Sequence, residues 1–237
     1  ASLRSPWETP VNLGPVVNST SGDAAASLSH DGRLLFFTSN RPGGQGDFDI
    51  YVSRRADPND DLAWGPPVNL GPHVNTPAPE QGVEYFESPG GRSATLFFNR
   101  GLQAMLQADL YAAPMTRNGE PRGPAQLLAE LSAPGANDAG ASVRADGREI
   151  LFWSNRAGTF GPADLWVATR RRERDAWSTP VNLGAPLNTR FNENRPNLSH
   201  DGRTLGFDSN RPGGVGGSTD LWMSTRARGR SGDHRDR

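Results

Sequence analysis

The chain has no cysteine, and all 25 of its basic residues are arginine, because lysine is missing as well. Without cysteine there are no disulfides, no thiolate catalysis and no cysteine-type zinc site. Without lysine there is no Schiff-base chemistry, and the glycine runs at Gly43–Gly46 and Gly213–Gly217 lack the cation of a phosphate-binding loop. Histidine is scarce: His30 and His200 hold the same place in two turns, His73 follows a proline, and His234 lies near the C-terminus. No His-x-His or His-x-x-x-His pair and no Gly-x-Ser-x-Gly elbow is present, so a serine or histidine hydrolase is not expected. A net charge of −1 argues against electrostatic capture of nucleic acid, which needs a strongly basic face. No apolar run approaches 18 residues, so no membrane-spanning segment is expected, and no amphipathic helix stands out. The start at Ala1-Ser2 shows no uncleaved signal peptide and is read as a post-cleavage terminus, which makes the expected location periplasmic or extracellular.

What is present is repetition. Trp-x-x-Pro-Val-Asn-Leu-Gly occurs at Trp7–Gly14, Trp64–Gly71 and Trp177–Gly184, with a degraded copy at Arg122–Leu128. Turns of the Ser-x-Asp-Gly-Arg kind place glycines at 32, 91, 147 and 202, each eight residues before an Asn-Arg pair at 40, 99, 155 and 210. A loop follows, then Asp49-Ile50-Tyr51, Asp109-Leu110-Tyr111, Asp164-Leu165-Trp166 or Asp220-Leu221-Trp222. The unit is a four-part cassette used four times.

Each cassette predicts four short strands. The first ends at the turn, where glycine accepts positive φ without steric cost. The second is Leu34–Phe37, Ala94–Phe98, Ile150–Trp153 or Leu205–Phe207; the third opens at the Asp-aliphatic-aromatic triplet; the fourth is the Pro-Val-Asn-Leu phrase. Four strands at a period near 55 residues predict an all-β, four-bladed β-propeller with four antiparallel strands per blade. A five-bladed ring would need a cassette that the sequence does not contain. The expected organisation is one domain over 1–226, with blades at about 15–71, 72–128, 129–184 and 185–226. The N-terminal strand 7–14 is expected to complete the last blade and close the ring, removing an aggregation-prone edge. Residues 227–237 lack large apolar side chains and predict a flexible basic tail, with an anionic lipid surface or an acidic partner as its candidate contact.

The pattern Leu-Ser-x-Asp-Gly-Arg-x-Leu-x-Phe-x-Ser-Asn-Arg-x-Gly-Gly, followed by Asp-Ile-Tyr-Val, resembles the TolB-type, WD40-like propeller repeats of exported bacterial proteins. The resemblance spans Trp7–Arg226 and implies the propeller fold. It leaves activity open, since that family includes protein-docking propellers, peptidase lids and polysaccharide lyases. Cassette two departs from the pattern, with Pro89-Gly90-Gly91 for the turn and two extra residues before it.

Residues needed once per blade are expected to be architectural, so the Arg-Asp sets 41/49, 100/109, 156/164 and 211/220 are read as structural. A second set is the candidate site. Leu13, Leu70 and Leu183 each precede an acid by ten residues, and Leu127 precedes one by eleven, giving Asp23, Glu80, Glu193 and Asp138; Asn18, Asn75 and Asn188 lie five before three of them. Four carboxylates entering the innermost strands are expected to ring a channel mouth, where carboxylate and amide oxygens suit Ca²⁺ or a cationic group of a partner. The competing reading makes each acid a cap for its own inter-blade crossing, or a partner of Arg144, Arg190 or Arg195. Leu102, Met105 and Leu106 replace the polar loop of the sibling cassettes and form a candidate docking loop.

With no recognisable nucleophile and base, the expected function is a non-catalytic exported interaction module that presents its loops to a protein or glycan. The alternatives are a lyase or metal-dependent hydrolase that uses the channel carboxylates, and an accessory subunit of a larger assembly.

Overall fold

The structure is a computed structural model and describes residues 9–91, 93–101, 107–215 and 218–227. Four antiparallel sheets form four propeller blades, with one helical turn, α1 (Gly14–Val17), as the sole helix among the described residues. Blade 1 holds β1 (Asp23–Leu28), β2 (Leu34–Ser39), β3 (Asp49–Arg54) and β4 (Val68–Asn69). Blade 2 holds β5 (Glu80–Glu87), β6 (Ala94–Arg100), β7 (Asp109–Met115) and β8 (Gln126–Leu127). Blade 3 holds β9 (Asp138–Val143), β10 (Glu149–Ser154), β11 (Asp164–Thr169) and β12 (Val181–Asn182). Blade 4 holds β13 (Glu193–Leu198), β14 (Thr204–Ser209) and β15 (Asp220–Thr225). Strand order within each sheet follows the sequence, and the first strands of successive blades lie side by side around the centre.

The local chemistry accounts for this layout. Gly32, Gly91, Gly147 and Gly202 sit at φ of +69, +62, +68 and +67°, and each donates its N–H to the carbonyl three residues back, closing the first hairpin of its blade. The second strands supply the core: every residue of β2 is buried, and Phe36, Phe98 and Phe152 are fully enclosed. Neighbouring blades are joined by apolar clusters, in one of which Phe36 stacks on Tyr85 at 4.4 Å between ring centroids.

The phrase expected as a four-residue outer strand pairs over two residues only, Val68–Asn69, Gln126–Leu127 and Val181–Asn182. The N-terminal copy forms no strand over residues 9–13, and Ala1–Glu8 lie outside the described residues, so β15 is the outer strand of blade 4 among them. Register also settles the odd spacing of cassette two. Leu128 donates to Leu110 O as Leu70 does to Ile50 O and Leu183 to Leu165 O, so Leu128 holds the place first given to Leu127, and its distance to Asp138 becomes ten like the others. The extra residues lengthen the β5–β6 hairpin. Arg100 is thereby drawn into the strand opposite Glu80, where Ser39, Ser154 and Ser209 oppose Asp23, Asp138 and Glu193.

The asparagines of the crossings lock one blade to the next. Asn75 Oδ1 accepts from Ile50 N at 2.8 Å, while its Nδ2 donates to Ile50 O at 2.9 Å and to Asn69 Oδ1 at 2.8 Å. Asn69 in turn donates to the Asp49 carboxylate at 2.8 Å. Asn188 grips Leu165 in the same way at 2.9 and 2.8 Å, and Asn182 donates to Asp164 at 2.6 Å. Each is a clamp of two asparagines on the start of a third strand. Replacing Asn188 by Ala leaves the buried amide of Leu165 unpaired and its carbonyl with Leu183 N alone, and urea denaturation should show a loss of about 1–3 kcal/mol. A loss below about 0.5 kcal/mol would show that the clamp is dispensable.

Candidate functional site

Each repeated acid is taken by an arginine of its own blade. Arg41 reaches Asp23 at 2.7 Å, Arg100 reaches Glu80 at 2.7 Å, Arg211 reaches Glu193 at 3.0 Å, and Arg156 pairs with Asp138. The same guanidinium groups donate to the carbonyls of Val17, Val74, Leu187 and Leu131 in the preceding crossings. Each also lies over two aromatic rings, for example Arg100 at 4.2 Å from the Tyr111 centroid and Arg156 at 5.0 Å from that of Phe152. Backbone amides complete the acids: Ser19, Thr76 and Thr189 donate to Asp23, Glu80 and Glu193, and Ala133 to Asp138.

This corrects the expectation of a carboxylate ring. The side chains of Glu80, Asp138 and Glu193 are fully buried, and among the described residues no three acidic or histidine groups gather where a metal ion could be held. The acids point into the joints between blades, and the partners are Arg41, Arg100, Arg156 and Arg211 rather than Arg144, Arg190 or Arg195. Asn75 and Asn188 are structural clamps, and Asn18 donates to Asn12 at 3.0 Å. Burial raises the pKa of Asp23, but hydrogen bonds from Ser19, Ser39 and Arg41 outweigh it and hold the carboxyl near 2. In Glu80 burial wins and the pKa is pushed up despite Thr76 and Arg100. The third-strand acids are structural too, although not through the arginines: Asp164 accepts from the N–H groups of Phe160 and Gly161 and from Asn182. Leu102, Met105 and Leu106, and the tail beyond Ala227, lie outside the described residues.

The innermost strands carry a different set. Each has the same bulge, with Ala25, Gly82, Gly140 and Arg195 at φ of +52, +62, +66 and +48°. Two residues further along come Ser27, Glu84, Ser142 and Asn197. Ser27 Oγ accepts from Tyr85 N at 3.0 Å, Ser142 Oγ accepts from Leu198 N at 2.9 Å, and the Glu84 carboxyl accepts from Val143 N. These bonds stitch each inner strand to the next. Glu84 thus puts a carboxyl where Ser27 and Ser142 use a hydroxyl and Asn197 carries an amide, partly buried beside the axis and joined to no arginine in any described ion pair. Burial pushes its pKa up to about 7.

A second odd acid lies in blade 4. Asp208 on β14 fills the position held by Thr38, Asn99 and Trp153 in the other blades, and faces Arg195 at 3.5 Å. Arg195 is a non-glycine residue in the left-handed region with an exposed side chain, a strained placement of the kind found at functional sites. An open groove of about 440 Å³ on the hairpin-tip face of blade 3 is lined by Arg144, Arg148 and Arg170–Arg172, but Arg144 is held by Asp146 and Glu149, and Arg170 by Gly147 O and Trp177.

Comparison of the fold places the chain beside carbohydrate-cleaving enzymes. A thermostable family-43 glycoside hydrolase aligns at TM-score 0.58 and 11% identity, over 84% of this chain and 69% of that one. An alpha-L-arabinofuranosidase from Lactobacillus brevis aligns at 0.59 and 15%, over 91% and 77%. TolB from Acinetobacter baumannii aligns at 0.55 and 14%, over 89% of this chain and 42% of TolB. No family model and no curated protein matches the sequence. The propeller and its likeness to the TolB structure stand, at identities that establish fold alone. The expectation of a non-catalytic interaction module is overturned, because the structures sharing this architecture include arabinanases and arabinofuranosidases in number.

Glu84 gives the site a pH signature. An unfolded glutamate titrates near 4.3, so between there and about 7 the folded chain holds a proton that the unfolded chain has lost. Stability should fall as pH rises through that window and level off above it. Glu84→Gln removes the titration; urea unfolding should show the variant more stable than the parent by roughly 3–4 kcal/mol well above pH 7, and little changed at pH 4. A difference independent of pH would contradict the assignment.

Proposed function

We propose that the protein is a glycoside hydrolase whose chemistry sits at the propeller axis, with Glu84 as the general acid. The observation that carries this reading is the substitution, within a fourfold repeat, of one carboxyl for a serine on an innermost strand, with a proton retained near neutrality by burial. Glycosidic cleavage needs one protonated carboxyl to release the leaving oxygen and one ionised carboxylate to serve as base or nucleophile. Glu84 has the environment of the first. Asp208, which faces Arg195 at 3.5 Å, is assigned the second role. Arg195 and Asn197 add donors for sugar hydroxyls along the same strand.

The architectural likeness to arabinan- and arabinoside-cleaving enzymes supports a glycan as the partner and makes arabinofuranosyl substrates the first to try. An extracytoplasmic location accords with a polymeric glycan substrate. Relatedness to the TolB-type, WD40-like repeats is retained as a proposal that rests on the cassette motifs.

The test is release of reducing sugar from arabinan and of nitrophenol from aryl arabinofuranosides. Glu84→Gln should lower kcat by about 10²–10⁴-fold, with less loss on aryl substrates whose leaving group needs no proton, and Asp208→Asn should lower both rates alike. Full activity in Glu84→Gln, or no cleavage of any glycan by the parent chain, would reject the proposal.

A further inference from the structure

Among the described residues, blade 4 has no fourth strand. In blades 1 and 3 the third strand is covered on its outer side by the Trp-x-x-Pro-Val-Asn-Leu-Gly phrase; among the described residues nothing covers β15. Leu221 is 91% exposed, whereas its counterparts Ile50, Leu110 and Leu165 are at most 1% exposed, and Met223 is 74% exposed against 0% for Val52. Such an edge is too apolar to be left in water.

Several parts of such a joint are present among the described residues. Asn12 Oδ1 already accepts from Gly14 N at 2.8 Å and from Asn18 at 3.0 Å, which is the geometry of Asn69 with Gly71 and Asn75 and of Asn182 with Gly184 and Asn188. The clamp is formed, but among the described residues nothing meets Asn12 Nδ2 or Asn18 Oδ1. On blade 4, the Asp220 carboxylate and the backbone of Leu221 are the counterparts of Asp49 with Ile50 and Asp164 with Leu165. Arg226 donates Nε to Gly202 O at 2.6 Å, as Arg55 does to Gly32 O and Arg170 to Gly147 O. Arg55 and Arg170 lie over Trp64 and Trp177 at 4.5 and 3.9 Å, and the corresponding ring for Arg226 is Trp7, which is outside the described residues. On the inner side, Asn197 holds the place of Ser27, Glu84 and Ser142, whose oxygens accept from the next blade; the amide it would meet is Leu28 N.

We infer that Trp7–Asn18 of the same chain docks on β15, with Val11 opposite Met223, Asn12 on Asp220, Asn18 on Leu221, Trp7 on Arg226 and Asn197 on Leu28 N. The register follows from Val68 opposite Val52 and Val181 opposite Val167. The occupant is the chain's own segment rather than a second copy, because the hairpin tips of blades 1 and 4 already meet, with His30 and His200 stacked at 5.9 Å. Docking joins the first and last blades and makes the wall around Glu84 continuous, independently of whether Glu84 is catalytic.

The absence of cysteine makes the test direct. Residues directly opposite in an antiparallel pair have Cα atoms about 5.5 Å apart, within reach of a disulfide. Val11→Cys with Met223→Cys should oxidise to an intramolecular disulfide, read as loss of both free thiols in a monomer of unchanged size, at a rate comparable to the blade 3 pair Val167→Cys with Val181→Cys. Trp7→Ala should lower the melting temperature, and adding Arg226→Ala should lower it by less than Arg226→Ala does in the parent. A disulfide formed only between chains would show exchange between two copies. Free thiols in a folded monomer would show that something else covers β15. Either result overturns the inference, and neither bears on glycan cleavage.

Discussion

A guanidinium group that satisfies three demands at once holds this fold together. Arg41, Arg100, Arg156 and Arg211 each neutralise the acid opening an innermost strand, cap a carbonyl of the preceding crossing and cover two aromatic rings. Burying a carboxylate is costly unless it is paired and fully hydrogen-bonded, and here both conditions are met four times. Arginine suits the task because its planar fork binds in several directions while its face stacks; the compact ammonium of lysine would do only part of it. The rest of the blade follows, because this joint sets where the crossing ends and where the inner strand begins.

The fold was legible because its signals are local and recur: glycine at the four hairpin tips, the apolar second strands, and the leucine placed ten residues before three of the four acids. What failed was what spacing does not encode. Arg41 lies at a fixed distance from both Asp23 and Asp49, and a count of residues does not say which of them shares its side of the sheet. The recurring acids were read as facing the axis although they face the joints. In cassette two a longer hairpin pulls Arg100 into the strand, and separately the degraded outer phrase leaves two adjacent leucines, of which only the strand register picks Leu128 over Leu127.

The candidate catalytic group escaped notice for the opposite reason. A search for what is the same in four copies finds architecture, whereas Glu84 is conspicuous only by differing from Ser27, Ser142 and Asn197 once the bulges are in register. The two kinds of acid also differ electrostatically. Those in the joints are matched by arginine and present little field to the channel, while Glu84, matched by a backbone amide alone, keeps an adjustable proton.

The crossings have a consequence for how the chain acquires this shape. In Val74-Asn75 and Leu187-Asn188, two adjacent residues face opposite ways: the carbonyl of the first belongs to the arginine of the following blade, and the amide side chain of the second grips the preceding one. All of these contacts span no more than 26 residues of sequence. For an all-β protein that is short, so loop-closure entropy is modest at each step and blades can form one after another as the chain lengthens. Kinetically the molecule should behave as a linear array with nearest-neighbour coupling, nucleating in its best-packed interior blades and propagating outward.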